Sequence, residues 1–338
     1  MNYLNCDIPF KTESGETIID LKIAYNTYGE LNKEKSNVVW VCHALTSNSA
    51  VTEWWPGLVG IDCVINPEKY FIVCANIIGS CYGSTGPTST NPLTGKPYCS
   101  MFPVVTIRDM VKAHILLRHH LGVEKIYLLM AGSMGGYQAL EWCAMENDNI
   151  ENLFLITTSA AESAWGIAIH TAQRLAIEAD HSWQDESLDA GRAGLKAARA
   201  IGLLTYRNYK ILVERQTDPD PEKTDNFKAS SYIIYQGDKL VNRFNAQTYW
   251  LLTKAMDSHN LARGRHKTRQ QVLQSLAQRA LIMGITSDLL CPVDEQKNIA
   301  DNMPNATYVE IDSSYGHDGF LIEAGKISKH LGEWLSQH

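Results

Sequence analysis

The 338-residue chain lacks the marks of several large protein classes. It has no run of lysines and arginines, no basic stretch interleaved with aromatics, and a formal net charge of −7. A nucleic-acid groove needs the opposite balance, so no nucleic-acid partner is expected. No apolar run reaches the roughly 18 residues of a membrane-crossing helix, so no membrane partner is expected either. The opening Met1-Asn2-Tyr3-Leu4-Asn5-Cys6-Asp7 has neither a basic nor an apolar segment, which gives no sign of a secretory leader and leads to the expectation of a cytoplasmic protein. No CxxC pair occurs. The eight cysteines (Cys6, Cys42, Cys63, Cys74, Cys81, Cys99, Cys143 and Cys291) are scattered, several of them in apolar stretches. Free thiols in a reducing compartment are the expected state, and no metal site is expected. The glycine-rich stretch 79–87 invites a phosphate-cradle reading. However, Gly95-Lys96 is followed by Pro97, position 90 is Thr, and no G-x-G-x-x-G follows a strand pattern, so both common nucleotide fingerprints are missing. Internal repeats and low-complexity tracts are absent as well.

What remains is an ordinary globular composition, 45% hydrophobic and 20% charged, with ample length for a large core. Residues 1–35 alternate polar and apolar, as in an opening antiparallel hairpin. Continuous apolar runs at 38–42 and 70–75 read as strands covered on both faces. Between 77 and 103 lies a long irregular stretch, and in a compact domain a loop of that length is more often functional than idle. A helix is predicted over 106–121, a strand over 124–130, a helix over 137–145 and a strand over 153–158. This alternation predicts a mostly parallel sheet with helices on both faces. From about 160 to 274 strand signals nearly vanish. Helical segments at 167–179, 193–200, 244–256 and 269–277 alternate with polar stretches, and 217–223 reads as a surface loop. Sheet signals resume at 280–285, followed by a helix over 293–301, a strand over 307–311 and a closing helix over 320–335. The chain therefore divides into an α/β core, 1–160 and 276–338, and an inserted helical lid, 161–275.

Between the predicted strand 124–130 and the helix that follows, one serine sits among small residues: Ala131-Gly132-Ser133-Met134-Gly135-Gly136. A strand that reverses sharply into a helix with a serine at the apex needs neighbours without bulk. This is the nucleophile elbow of α/β-hydrolases, with Ala131 in place of the first glycine of G-x-S-x-G. In that fold an acid and then a histidine follow the serine, each on a loop after a core strand. Asp288 follows strand 280–285, and His317 follows strand 307–311. His317 would take the Ser133 proton as general base, and Asp288 would orient the imidazole and stabilise the imidazolium. The N–H of Met134 and one from the 43–45 loop, assigned to Leu45, would stabilise the oxyanion. Alternatives stand beside these assignments: Asp288 as a helix cap, Asp312 as the acid, and a structural role for His317, one of eleven histidines.

Longer stretches resemble one family. These are 43–46 (His-Ala-Leu-Thr), 54–60 (Trp-Trp-Pro-Gly-Leu-Val-Gly) and 76–87 (Asn-Ile-Ile-Gly-Ser-Cys-Tyr-Gly-Ser-Thr-Gly-Pro). The others are the elbow with Gln138-Ala139-Leu140-Glu141-Trp142, Leu204-Thr205-Tyr206-Arg207, and 316–321 (Gly-His-Asp-Gly-Phe-Leu). Over nearly its whole length the chain resembles the homoserine O-acetyltransferases of the α/β-hydrolase superfamily. The resemblance implies a ping-pong transfer in methionine biosynthesis: an acyl group passes from acetyl-CoA to the serine, and then to the side-chain hydroxyl of L-homoserine. Acetyl-CoA is then a co-substrate and no cofactor is implied, and a homodimer is. It also implies that Arg199 binds the acceptor carboxylate, that Tyr206 lines the substrate site and that Asp318 binds the ammonium; without the resemblance, Arg199 would read as a solvated helix residue. The chain departs from the family's pattern at 47–50, where Ser-Asn-Ser-Ala replaces the common Gly-Asp-Ala-His, at Ala131, and at Tyr137, where methionine is common. The alternatives carried forward are transfer of succinyl or use of serine, an ester hydrolase on the same triad, and a catalytically silent relative used for binding.

Overall fold

The structure is a computed structural model and describes residues 1–337. Eight strands form one sheet: β1 (Asn2–Asn5), β2 (Lys22–Tyr28), β3 (Val38–Cys42), β4 (Phe71–Ala75), β5 (Ile126–Gly132), β6 (Ile150–Ile156), β7 (Arg279–Ile285) and β8 (Ala306–Ile311). Their order across the sheet is β1-β2-β4-β3-β5-β6-β7-β8. The opening hairpin pairs β1 with β2 antiparallel, and β2 lies antiparallel to β4. Every other neighbouring pair is parallel. The expected α/β-hydrolase architecture, a mostly parallel sheet with helices on both faces, is the one observed.

The central strands read as unbroken apolar runs because each is covered twice. In β3, Val38, Trp40 and Cys42 face one core cluster with Met110 and Trp142, while Val39 and Val41 face another with Trp55, Phe154 and Phe320. That division follows the two-residue period of a strand. Trp40 and Trp142 meet edge to face at 5.1 Å between ring centroids.

Ten longer helices surround the sheet. Helix α1 (Ile107–His120) starts at a capping box between Thr106 and Asp109, and α2 (Met134–Met145) leaves the serine turn. Between β6 and β7 come α3 (Ala164–Glu178), α4 (Arg192–Tyr206), α5 (Tyr209–Gln216), α6 (Lys228–Val241), α7 (Ala246–Asp257) and α8 (Arg269–Gln274). Helix α9 (Val293–Asn302) precedes β8, and α10 (Ala324–Leu335) closes the chain. The inserted helices leave and rejoin the core at a narrow neck, where the N–H of Glu162 bonds the His259 carbonyl and that of Leu261 bonds the Ala160 carbonyl. Beyond the neck the chain already packs on the core. Arg263 pairs with Glu13 at 2.9 Å and Arg265 with Glu141 at 2.8 Å, and Val272 and Leu273 join the main core cluster. The sequence-based border at 275 therefore includes a stretch that lies against the core.

Four helical expectations need correction. Helices α5 and α6 were not expected, and α4 runs to Tyr206 rather than stopping at 200. Glycines masked the last two. A Cβ on Gly237 of α6 would stand 2.7 Å from the Lys196 side chain of α4, and one on Gly202 of α4 would stand 2.8 Å from Gln173 of α3. Both glycines permit close helix crossings, and their low helix propensity hides the helix. The closing helix also breaks at Glu323, into a single turn at Gly319–Ile322 and then α10.

Candidate active site

Ser133 joins β5 to α2 at φ 55° and ψ −130°, a conformation that a non-glycine residue rarely adopts. The surroundings hold it there. The Ser133 N–H donates to the Ile156 carbonyl at 3.1 Å, and its own carbonyl accepts from Gly136 N–H and Thr158 Oγ1, both at 2.8 Å. Bulk is excluded on every side of the turn. A Cβ on Gly135 would lie 2.1 Å from the Cys42 carbonyl, one on Gly136 2.3 Å from Thr158, and one on Gly132 2.8 Å from the Phe320 ring. Ala131 lies within β5, paired with Cys42 and Leu155, where the strand needs no glycine.

The loops after β7 and β8 bring an acid and a base to this serine. His317 Nε2 is 2.8 Å from Ser133 Oγ, and His317 Nδ1 is 2.7 Å from Asp288 Oδ2. The other Asp288 oxygen accepts from the N–H groups of Leu290 and Cys291 at 2.8 and 2.9 Å, which fixes the carboxylate plane. All three side chains are buried. Asp312, the rival acid, is exposed and sits 3.3 Å from Thr286 Oγ1 instead. Burial by itself would lower the pKa of His317, but the charge of Asp288 and its hydrogen bond outweigh it and hold the imidazole above its ordinary value. The donor atoms of Asp288, Cys291 and His317 lie within 4.8 Å of one another, a spacing that a metal ion could use. Burial, however, pushes the Cys291 thiol well up, away from the thiolate a metal needs, and the imidazole bridges Asp288 to Ser133. This set is arranged to move a proton.

Leu45 is on the wall of the same cavity, and neither its N–H nor that of Met134 has a protein partner among the described residues. His43 braces that loop: Nδ1–H donates to the Ala44 carbonyl at 2.8 Å, and Nε2 accepts from Ile77 N–H at 3.2 Å. Burial lowers the His43 pKa to about 4, so it is a neutral strut near pH 7.

The cavity over Ser133 measures about 380 Å³ and is walled on the far side by inserted helices. Arg199 and Tyr206 reach it from α4, with the guanidinium 5.3 Å from the tyrosine ring centroid and without a carboxylate partner among the described residues. Asp318 is also on the wall, but Arg207 pairs with it at 3.2 Å. Arg207, Lys239, Arg243 and His170 also line the wall, and none of these four carried a role in the sequence reading. Arg207 adjoins Tyr206 and could have been suspected from that position. Arg243 comes from the turn after α6 and His170 from α3, and no local pattern marks them. Arg243 is tied to the Thr46 carbonyl at 2.6 Å and the Tyr82 hydroxyl at 2.7 Å, so the long loop 77–103 contributes to the rim.

A profile of the α/β-hydrolase fold matches residues 37–324. A homoserine O-acetyltransferase of Cyclobacterium marinum is 46% identical over 318 residues, covering 94% of this chain and 90% of that one. The chain belongs to the homoserine O-acetyltransferase family. A crystal structure of a homoserine O-acetyltransferase from Staphylococcus aureus superposes with a TM-score of 0.82 at 29% identity, covering 99% of this chain and 94% of the other. The fold of the family is shared more widely. An acetylester hydrolase from Corynebacterium glutamicum superposes with a TM-score of 0.86 at 22% identity, covering 98% and 95%.

Proposed function

We propose that the protein is a homoserine O-acetyltransferase that uses acetyl-CoA and serves methionine biosynthesis. The observation that carries this is the Ser133–His317–Asp288 chain sharing one cavity with the guanidinium of Arg199, which has no carboxylate partner among the described residues. In the first half-reaction His317 Nε2 takes the Ser133 proton as Oγ attacks the thioester carbonyl. The N–H groups of Met134 and Leu45 receive the oxyanion, and the tetrahedral adduct expels the CoA thiolate, which leaves with the proton from His317. In the second, His317 takes the proton of the homoserine hydroxyl as its oxygen attacks the acyl-serine, and Ser133 leaves reprotonated. Asp288 keeps the imidazole in the tautomer both steps need.

Arg199 would bind the acceptor carboxylate through its planar fork, with Tyr206 stacked against it and Asp318 taking the ammonium. Lys239 and Arg243, free of carboxylates among the described residues, give the rim a positive charge suited to a polyanionic CoA. The core, 1–160 and 276–338, carries the chemistry in this reading, and the lid, 161–275, carries the acceptor site. A homodimer fits the exposed apolar side chains of α5 and α6, where Tyr209, Ile234 and Tyr235 are each more than half exposed. Among the described residues no helix is long and apolar enough to cross a membrane, and a cytoplasmic site of action is part of the proposal.

Hydrolysis on the same triad is the second reading, favoured by the likeness to the acetylester hydrolase. Free CoA is followed with acetyl-CoA or succinyl-CoA, each alone and with L-homoserine or L-serine. Transfer predicts release that depends on homoserine after one turnover, with acetyl-CoA and L-homoserine the best pair by kcat/KM. Serine is one methylene shorter, which is worth roughly 10–200-fold. Equal release with no acceptor would establish the hydrolase instead.

A further inference from the structure

The cavity wall holds a second histidine–aspartate pair that the transfer steps do not use. His170, midway along α3, is 3% exposed and shares the wall with Ser133, Arg199 and Asp318. Its Nδ1 lies 2.9 Å from Asp257 Oδ1 and 3.9 Å from Glu162 Oε2. Both carboxylates are held from behind. Arg174 donates to Asp257 Oδ2 at 2.5 Å, and the Tyr137 hydroxyl donates to Glu162 Oε2 at 3.0 Å. The Tyr137 ring in turn stacks on His259 at 4.2 Å. Tyr137 is one of the positions where this chain departs from the family's pattern, so the departure is part of this assembly.

The bond from Nδ1–H to Asp257 selects the tautomer whose Nε2 carries a lone pair. Nε2 makes no hydrogen bond among the described residues and is not sealed from solvent. In a residue this buried, the opening is the cavity. We propose that His170 is an acceptor-binding residue, its Nε2 receiving a hydrogen bond from the ammonium group of the amino acid whose side-chain hydroxyl is acylated. This rests on the reading of the cavity as an amino-acid site and names the contact that reads the amino group. An ammonium has three N–H donors. Asp318, already engaged with Arg207, can take one of them, and His170 takes a second. The charge behind His170 suits a cation, since two carboxylates, Asp257 and Glu162, stand near its Nδ1 and Arg174 pairs only with Asp257. Burial, only partly offset by the Tyr137 hydrogen bond, raises the pKa of Glu162, and an ammonium at Nε2 brings positive charge toward it.

The test is equilibrium binding to the full-length Ser133→Ala protein, which cannot turn over, with L-homoserine and with γ-hydroxybutyrate, the same molecule without the amino group. Homoserine should bind about tenfold or more tightly than the analogue. Adding His170→Ala should weaken homoserine by about tenfold and leave the analogue within about twofold, and His170→Asn, which keeps an acceptor atom, should recover part of the loss. Equal weakening of both ligands, or no change in either, overturns the proposal, as does a parent that does not distinguish the two ligands or binds neither. If His170→Ala does not fold, His170→Asn and the parent comparison still decide. CoA release by the unmodified enzyme is measured separately. A protein that selects homoserine over the analogue but never releases CoA would retain this site and lose the transferase reading.

Discussion

The core and the inserted helices divide the work of the site differently. The core contributes groups at strand ends, Leu45 after β3, Ser133 after β5, Asp288 after β7 and His317 after β8, and parallel neighbours fix the spacing of those ends. The insertion contributes Arg199 and Tyr206 from α4, His170 from α3, and Arg243 just past α6. In the first set Ser133, His317 and Asp288 meet at hydrogen-bond distance, an arrangement suited to moving a proton, and Leu45 lines the same cavity. The second set faces open space, and the Arg199 guanidinium and the His170 Nε2 have no hydrogen-bond partner among the described residues, so it is shaped for something that arrives. A hydrolase and a transferase can share the first set, so the difference between them has to be sought in the second.

The largest expected effect would break the core set alone. Ser133→Ala should abolish acyl-enzyme formation, with CoA release in a single turnover falling by about 10⁴-fold or more. Thermal unfolding should barely move, because the Ser133 hydroxyl bonds only His317. Asp288→Asn should reduce the same rate by roughly 10³- to 10⁴-fold while the protein remains folded, because an amide at this position favours the wrong imidazole tautomer.

Breaking the cap set should look different. Arg199→Ala is expected to raise the KM for L-homoserine by about 10- to 100-fold, as removal of a charged hydrogen bond does, while CoA release from acetyl-CoA stays within about twofold. A loss in both half-reactions would mean that the two regions are not separate in function.

The smallest effect sharpens the comparison through pH. The acylation rate should rise with pH as His317 loses its proton, since only the neutral imidazole accepts from Ser133. Asp288 holds that pKa above the ordinary histidine value of about 6.5, so the midpoint should lie above it. Arg199→Ala should leave the midpoint unchanged, and Asp288→Asn should lower it. A midpoint below 6.5 in the unmodified enzyme would contradict the Asp288–His317 contact.

The same division explains what could be read from the sequence. The parallel strands announce themselves as apolar runs, and the order serine, acid, histidine after successive strands marked three positions in advance. Position after the right strand already favoured Asp288 over Asp312, and the folded loops add that Asp288 turns inward to His317 while Asp312 stays exposed. The cap was harder to read. Gly202 and Gly237 serve helix crossings and hide the helices they belong to. Arg243 reaches Thr46 and Tyr82, and His170 reaches Asp257, across distances in sequence that no local pattern covers. The resemblance to the family named Arg199, but it could not show that Asp318 is already paired with Arg207.

The central claim, that the core forms the acyl-enzyme and the cap selects the acceptor, is tested most directly by following the two half-reactions separately in the unmodified protein and in Arg199→Ala. With acetyl-CoA alone, both should release CoA in a burst of one equivalent per active site and then stop. On adding L-homoserine, the unmodified protein should resume turnover at once, and the variant should do so only at much higher homoserine concentrations. Continued CoA release without any acceptor, or a variant that responds to homoserine as the parent does, would contradict the account.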